Sequence, residues 1–247
     1  MQPSFPPFQE RLIRRLSALV ELSYSDVAQL KECGRPSIVL GAGKELGSAA
    51  HGPQARFLVL DGWLARTKCL RDGRRQIVGF YVPGDVVSVS APANAPITTS
   101  IAAIYQATLC PAPSSAGLIE AYTAAADLDQ AYLYRQVVRL GRMSAFERVE
   151  DWMLEMRDRL LLAGMGEANV FALPITQEML GDALGLTAVH INRTLKSLRE
   201  ARVLNWRFGN VRLLEDVSPA RRQSGHQSSR SVAANANVAL SAPPMPV

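Results

Sequence analysis

The stretch "LPITQEMLGDALGLTAVHINRTLKSLR", residues 173 to 199, sets two apolar-patterned segments on either side of Gly185-Leu186. Thr176 is a fit N-cap for the first segment, which carries Met179, Leu180, Ala183 and Leu184, and Gly185 has the backbone freedom to close it. Thr187 is placed to cap a second helix, on which Ile191, Leu195 and Leu198 project to one side. Val189, Arg193 and Lys196 project to the other, flanked by His190 and Asn192. The spacing therefore predicts two helices joined at a short turn, the second anchored by its inner face and free on its outer one. That outer face is basic: from Pro174 to Leu213 six Lys and Arg residues stand against only three acids, Glu178, Asp182 and Glu200. A solvated face on an ordinary helical hairpin is the bland alternative. The hinge, the two caps and the hairpin that follows weigh against it and favour a helix shaped to enter a nucleic-acid groove.

Working outward, "VLNWRFGNVRLLE" (203 to 215) alternates around Gly209-Asn210 and predicts a small hairpin. Upstream, Phe146, Val149, Met153, Met156 and Leu160 recur at offsets of three and four in a helix that stops at Ala163-Gly164. Before it, Leu133, Val137 and Leu140 mark one face of a helix from about Asp127 to Arg142. From Ser37 to Ala112 the texture changes to short runs of Val, Ile, Leu and aromatics, punctuated by "GAGKELG", "HGP", "DGW", "RDGRR" and "VPGD". Closely spaced strands with such turns predict a sandwich or barrel. "KCLRDGRRQIVGFYV" (68 to 82) is the clearest hairpin, since Asp72-Gly73 supplies the positive φ of a tight turn. Residues 8 to 32 read as a short helical lead-in carrying Leu12, Leu16 and Leu19. The tail from Ser218, rich in Ser, Ala, Pro and Asn, is expected to be disordered.

At 247 residues, 48% hydrophobic and 20% charged, the composition excludes wholesale disorder and fibrous repeats and leaves room for two domains, each with a core. A net charge of +5 suits a phosphate partner. No apolar run approaches the roughly 18 to 20 residues of a membrane span. The start, MQPSFPPFQERL, has prolines where a signal peptide would carry its apolar core, so no membrane and a cytoplasmic location are expected. Cys33, Cys69 and Cys110 are odd in number and far apart, and read as reduced thiols rather than as a disulfide framework or a zinc or iron–sulfur site.

Three blocks in order, "GRRQIVGFYVPGD" (73 to 85), "GRMSAFERVEDWMLEM" (141 to 156) and the opening stretch, resemble the Crp/Fnr transcription regulators, over about Gln9 to Glu215. The resemblance implies an α+β chain with an N-terminal β-roll or jelly-roll sensor domain, a long central dimerisation helix and a C-terminal winged helix-turn-helix. The expected boundaries are a lead-in at 1–36, a cyclic-nucleotide-binding-like β-roll at 37–126, the dimerisation helix at 127–143, the DNA-binding domain at 144–217 and the tail at 218–247. It further implies a homodimer on a pseudo-palindromic operator in double-stranded DNA, one recognition helix in each major groove, with RNA polymerase as a further partner. The family's base-contacting positions fall on Val189, Asn192 and Arg193. Its phosphate-contacting or neighbouring positions fall on Thr176, Gln177, Thr187, His190, Lys196 and Arg199. Arg193 is the strongest of these, because a guanidinium pairs bidentately with guanine O6 and N7. Val189 departs from well-known members, which carry there a glutamate that accepts from cytosine. His190 is equally readable as a plain surface residue.

In cyclic-nucleotide-binding members a glutamate holds the ribose and an Arg-Ser or Arg-Thr pair holds the cyclic phosphate. The corresponding positions here fall near Ser88-Val89 and Thr98-Thr99, and between Arg75 and Glu120 the only charged residue is Asp85. A buried phosphate would lack a cationic partner, so cAMP is not expected to bind by that route, no cofactor is assigned, and the effector is open. No cysteine cluster near the start serves an iron–sulfur sensor, whereas His51, Cys69 and Cys110 keep a heme or redox variant in play. The alternative from another class is a metal-dependent cupin-like enzyme, which needs several His and carboxylates on one metal. Only His51 of the three histidines is free for such a site, since His190 lies on the outer helix and His226 in the tail. A module that kept the scaffold but lost its DNA target would have lost the basic face, which is intact.

Overall fold

The computed structural model describes residues 7–35, 37–47, 55–89 and 97–214. The expected disorder beyond Ser218 and the candidate ligand His51 lie outside them. Two helices, α1 (Phe8–Ser17) and α2 (Tyr24–Glu32), open the chain. Seven strands follow: β1 (Ile38–Leu40), β2 (Ala55–Asp61), β3 (Leu64–Cys69), β4 (Arg75–Tyr81), β5 (Val86–Val89), β6 (Ser100–Ala103) and β7 (Ala107–Pro111). They form two antiparallel sheets, ordered β1-β7-β2-β5 and β4-β3-β6. Phe57, Val59, Leu64, Val87, Ile101 and Leu109 fill the space between them as alternate residues of facing strands. The β3–β4 hairpin turns at Asp72-Gly73 with Cys69 opposite Arg75, and Gly73 has φ +84°.

The helix α3 (Ala116–Arg142) begins well ahead of the expected Asp127. Ser115 caps it by accepting from the Leu118 N–H. The Ala-rich turns from Ala121 to Ala126 carry too few large apolar residues to show a stripe in sequence, yet Leu118, Ala121 and Tyr122 are buried against α1 and α2. At 27 residues α3 is roughly 40 Å long. Its second half leaves Leu133, Tyr134, Val137 and Val138 exposed, at 43 to 68% of their full accessibility.

Ser144 and Glu147 form a reciprocal capping box that starts α4 (Ala145–Leu162). The seam between α3 and α4 is ionic. Arg139, 1% exposed, reaches Asp151 at 2.7 Å and Glu155 at 2.6 Å, while Arg135 meets Asp151 at 2.6 Å. The last segment holds β8 (Val170–Ala172), α5 (Gln177–Leu184), α6 (Ala188–Glu200), β9 (Leu204–Arg207) and β10 (Asn210–Leu213), with the strands ordered β8-β10-β9. One apolar cluster runs unbroken from the hairpin (Trp63, Ile77, Phe80) through α4 (Trp152, Met156) to α5 and α6 (Leu180, Ile191). Phe80 meets Trp63 and Trp152 edge to face, at 6.2 and 5.5 Å between centroids.

The Pro83-Gly84-Asp85 turn, legible in sequence only as a turn, is the buried junction of the molecule. The Asp85 carboxylate accepts from the Val82 N–H at 2.8 Å and pairs with Arg15 of α1 at 2.8 Å and Arg159 of α4 at 2.6 Å. All three charged side chains are at most 5% exposed. Burial pushes the Asp85 carboxyl up, but Arg15 and Arg159 outweigh it and hold the group below the usual carboxylate range.

Candidate nucleic-acid interface

Thr176 and Thr187 cap the two helices of the opening stretch, their hydroxyls accepting from Met179 N–H at 3.1 Å and His190 N–H at 3.3 Å. Between the helices Gly185 is left-handed at φ +64°, which closes α5 in the conformation glycine adopts at least cost. Gly181 answers a different need. A β-carbon there would stand 2.6 Å from the Leu186 carbonyl oxygen, so the tight turn requires its absence. Ile191, Leu195 and Leu198 are buried as expected, joined by Thr194, and they lock α6 onto the cluster that contains Leu180 and Leu184.

Every residue assigned to the outer surface is exposed: Thr176, Gln177, Thr187, Val189, His190, Asn192, Arg193, Lys196 and Arg199. Val189 and Arg193, four apart, share one line along α6, and Asn192 and Lys196 the adjacent one. Arg193 has no ion-pair or hydrogen-bond partner among the described residues, so its guanidinium stands free on the surface. Asn192 is turned back on its own helix, its amide donating to Ala188 O at 3.0 Å and leaving its carbonyl oxygen outward as an acceptor. Lys196 lies 3.8 Å from Glu200, both well exposed, a pairing too loose and too solvated to tie the ammonium down.

The hairpin after α6 turns one residue earlier than its sequence indicated. Asn210 pairs with Arg207, so Phe208-Gly209 is the turn, both at positive φ (+51° and +72°) as a tight two-residue loop requires. A phenylalanine seldom takes that conformation, which makes Phe208 an unusual residue at this turn. Phe208 is 98% exposed and flanked by the exposed Arg207, so the tip of this wing presents an aromatic ring and a cation beside α6. The third wing strand, β8, is only Val170–Ala172 and carries no signal of its own in sequence.

The carbonyl end of α5 is held from three sides. Ala183 O accepts from Gln76 of the β3–β4 hairpin at 3.1 Å and from Gln136 of α3 at 2.6 Å, and Leu184 O accepts from Arg148 of α4 at 3.2 Å. Asp182 pairs with Arg75 at 2.6 Å. None of these contacts could be found by periodicity, since each joins residues far apart in the chain.

In the β half, Ser88, Thr98 and Thr99 stand where the resemblance placed a nucleotide's partners. Counting charges along that stretch overlooked its neighbour in the sheet. Arg66 of β3 extends there, donating to Tyr81 Oη at 2.7 Å, Thr99 Oγ1 at 3.3 Å and the Ser88 carbonyl at 3.2 Å, and Lys68 reaches Thr98 Oγ1 at 3.3 Å. The guanidinium is thus engaged by the protein on its Nε and on both terminal nitrogens. Among the described residues no three His, Cys, Asp or Glu side chains are grouped to hold a metal ion. No helix among them is long and apolar enough to cross a membrane.

Residues 147–216 match the Crp-like helix-turn-helix domain family. The chain is 29% identical over 218 residues to the nitrogen fixation regulation protein FixK of Bradyrhizobium diazoefficiens, a match spanning 85% of this chain and 89% of that one. It is 26% identical over 212 residues to the transcriptional activatory protein AadR of Rhodopseudomonas palustris, spanning 82% and 87%. Among solved structures, FixK2 from Bradyrhizobium japonicum superposes with a TM-score of 0.60 at 23% identity, covering 76% of this chain and 95% of that one. A cyclic nucleotide-binding domain containing protein from Listeria monocytogenes superposes with a TM-score of 0.61 at 17% identity, covering 77% and 97%. Both structural likenesses bear on the fold, which is α+β with an N-terminal pair of sheets and a C-terminal helix-turn-helix.

Proposed function

Since the chain belongs to the Crp/Fnr family of DNA-binding transcriptional regulators, we propose that it binds a pseudo-palindromic operator as a cytoplasmic homodimer, without a cyclic nucleotide and without catalysing a reaction. Val189, Asn192 and Arg193 read base edges. Thr176, Gln177, Thr187, His190, Lys196 and Arg199 lie against the phosphates, and RNA polymerase is the further partner this reading entails. The observation that carries it is the outer face of α6, wholly exposed, with an unpaired Arg193 on the line of Val189. Selection from random duplexes should recover two inverted half-sites whose centres lie about 10 bp, or a multiple of that, apart. A motif without inverted symmetry would remove the dimeric reading.

The dimer seam is assigned to the second half of α3. Leu133, Tyr134, Val137 and Val138 are exposed there, although the cluster between the two sheets and the cluster from the β3–β4 hairpin to α6 are both filled without them. Sedimentation at micromolar concentration should give a dimer, and Val137→Glu should give a folded monomer by placing a charge in the seam. A monomeric wild type would count decisively against it.

Independence from cAMP rests on two features of the β half. The positions for the ribose and phosphate carry no glutamate or arginine, and the Arg66 donors that reach the stretch are already committed to Tyr81, Thr99 and Ser88. Calorimetric titration with cAMP should show no saturable heat, and operator affinity should be the same with and without it. Micromolar or tighter affinity would overturn this part of the reading while leaving the DNA site untouched.

A further inference from the structure

Cys33 and Cys110 are separated by most of the β half in sequence, yet the fold brings their thiols together. Cys33 terminates α2 and is half-buried, its Sγ donating to Gln29 O at 3.4 Å. Cys110 lies on β7 and is 2% exposed. Both cysteines pack in one apolar cluster and line the same open cavity of about 520 Å³, walled by α2, Gly34-Arg35 and Pro111-Ala112-Pro113. The third cysteine, Cys69, is exposed at the end of β3 and belongs to neither the cavity nor the apolar cluster around the pair.

We propose that Cys33 and Cys110 form a peroxide-reactive dithiol that closes to an intramolecular disulfide. The two sulfurs are inequivalent in the way such a reaction needs. The hydrogen bond from Cys110 holds the Cys33 thiol below its ordinary range against a smaller opposing effect of burial. The same bond, followed by burial, pushes Cys110 up. Cys33 is accordingly the attacking thiolate and the open cavity is its access. Its sulfur attacks one oxygen of hydrogen peroxide, the O–O bond breaks, and the departing hydroxide takes a proton to leave as water, giving a sulfenic acid. The Cys110 sulfur then attacks Cys33 Sγ, the S–O bond breaks, and the Cys110 proton leaves with the hydroxyl as a second water. Two thiols and one peroxide thus become one disulfide and two waters. The bond fastens the end of α2 to β7 over the cluster in which Leu118 and Tyr122 of α3 are packed. The Tyr122 hydroxyl in that cluster is buried without a hydrogen-bond partner, an unsatisfied donor close enough to the pair for the thiols' charge to act on it.

The test treats the reduced full-length protein with hydrogen peroxide and follows free thiols, intact mass and peptide linkage. Two of the three thiols should disappear, the mass should fall by about 2 Da, and digestion should yield a peptide carrying Cys33 joined to one carrying Cys110. Cys69→Ser should leave this unchanged. Cys33→Ser should leave Cys110 unreacted, and Cys110→Ser should stop at a Cys33 sulfenic acid that dimedone traps. Linkage through Cys69, linkage between two chains, or loss of a single thiol from the wild type would overturn the proposal. Because Cys110 is buried, Cys110→Ala takes the place of the serine variant should that protein fail to fold, and the wild-type peptide map decides in either case.

Discussion

Replacing Asp85 by alanine should cost about 3 to 5 kcal/mol of folding stability, because it strips the carboxylate from two buried guanidinium groups, Arg15 and Arg159, that have no water to turn to. Arg159 keeps the Phe80 carbonyl at 2.8 Å, Glu155 at 3.8 Å and the Tyr132 ring at 4.8 Å, but among the described residues Arg15 keeps only the long contact of 3.4 Å to Arg159 O. Asp85→Asn retains an acceptor for the Val82 N–H and should fall between the alanine variant and the wild type. Urea unfolding monitored at Trp63 and Trp152 would measure both, and a loss below about 1 kcal/mol for the alanine variant would contradict the account. The pH dependence has a definite sign. The folded-state value of Asp85 lies below its ordinary 3.8, so its contribution is complete above that value and is lost as the pH falls through the lower, folded one. The alanine variant should therefore show a shallower acid limb than the wild type.

The second large effect concerns sequence readout. Arg193→Ala should cost about 1 to 3 kcal/mol on the preferred operator and relax one guanine position, whereas Lys196→Ala should weaken all sequences alike and lower the salt slope by about one. Val189, 59% exposed on the same line of α6, offers an isopropyl group and no acceptor. In the proposed register it should favour contact with a thymine methyl over cytosine. Val189→Glu should shift the preference at one base pair towards cytosine while binding persists. Selected motifs that are identical for the wild type and Val189→Glu would show that this line of α6 does not face the bases, and the register assigned to Val189, Asn192 and Arg193 would fall with it.

The parts legible in sequence were those written in local chemistry. Thr176, Gly185 and Thr187 announce two helix ends and a turn within a dozen residues, and the Ile191, Leu195, Leu198 spacing fixes which side of α6 is buried and hence which is outside. The β3–β4 hairpin was legible for the same reason, through Asp72-Gly73. The parts that were not legible are written in tertiary contacts. Alanine-rich turns hid the first three turns of α3, because their burial depends on α1 and α2 lying against them rather than on large side chains of their own. Asp85 reads as the last residue of a turn until two arginines, 144 residues apart in the chain, are seen to converge on it. Arg66 escaped a count made along residues 76 to 119 because sheet pairing delivers it sideways from β3. The proximity of Cys33 to Cys110 is likewise a product of how α2 is laid on β7, which no spacing rule encodes.

The grip on the carbonyl end of α5 ties the β3–β4 hairpin directly to the helix-turn-helix. Gln76 and Arg75 hold α5, and α5 packs against α6 in one apolar cluster, so in the proposed dimer joined along α3 a displacement of α5 should alter the separation of the two α6 helices. Since Gln136 grips the same Ala183 carbonyl from α3, a shift of either element is a shift of α5. Under the proposed function the hairpin and the operator are then thermodynamically linked. Any free energy by which a ligand on the hairpin favours one placement of α5 must reappear, equal in size, as a change in that ligand's affinity when the operator is bound.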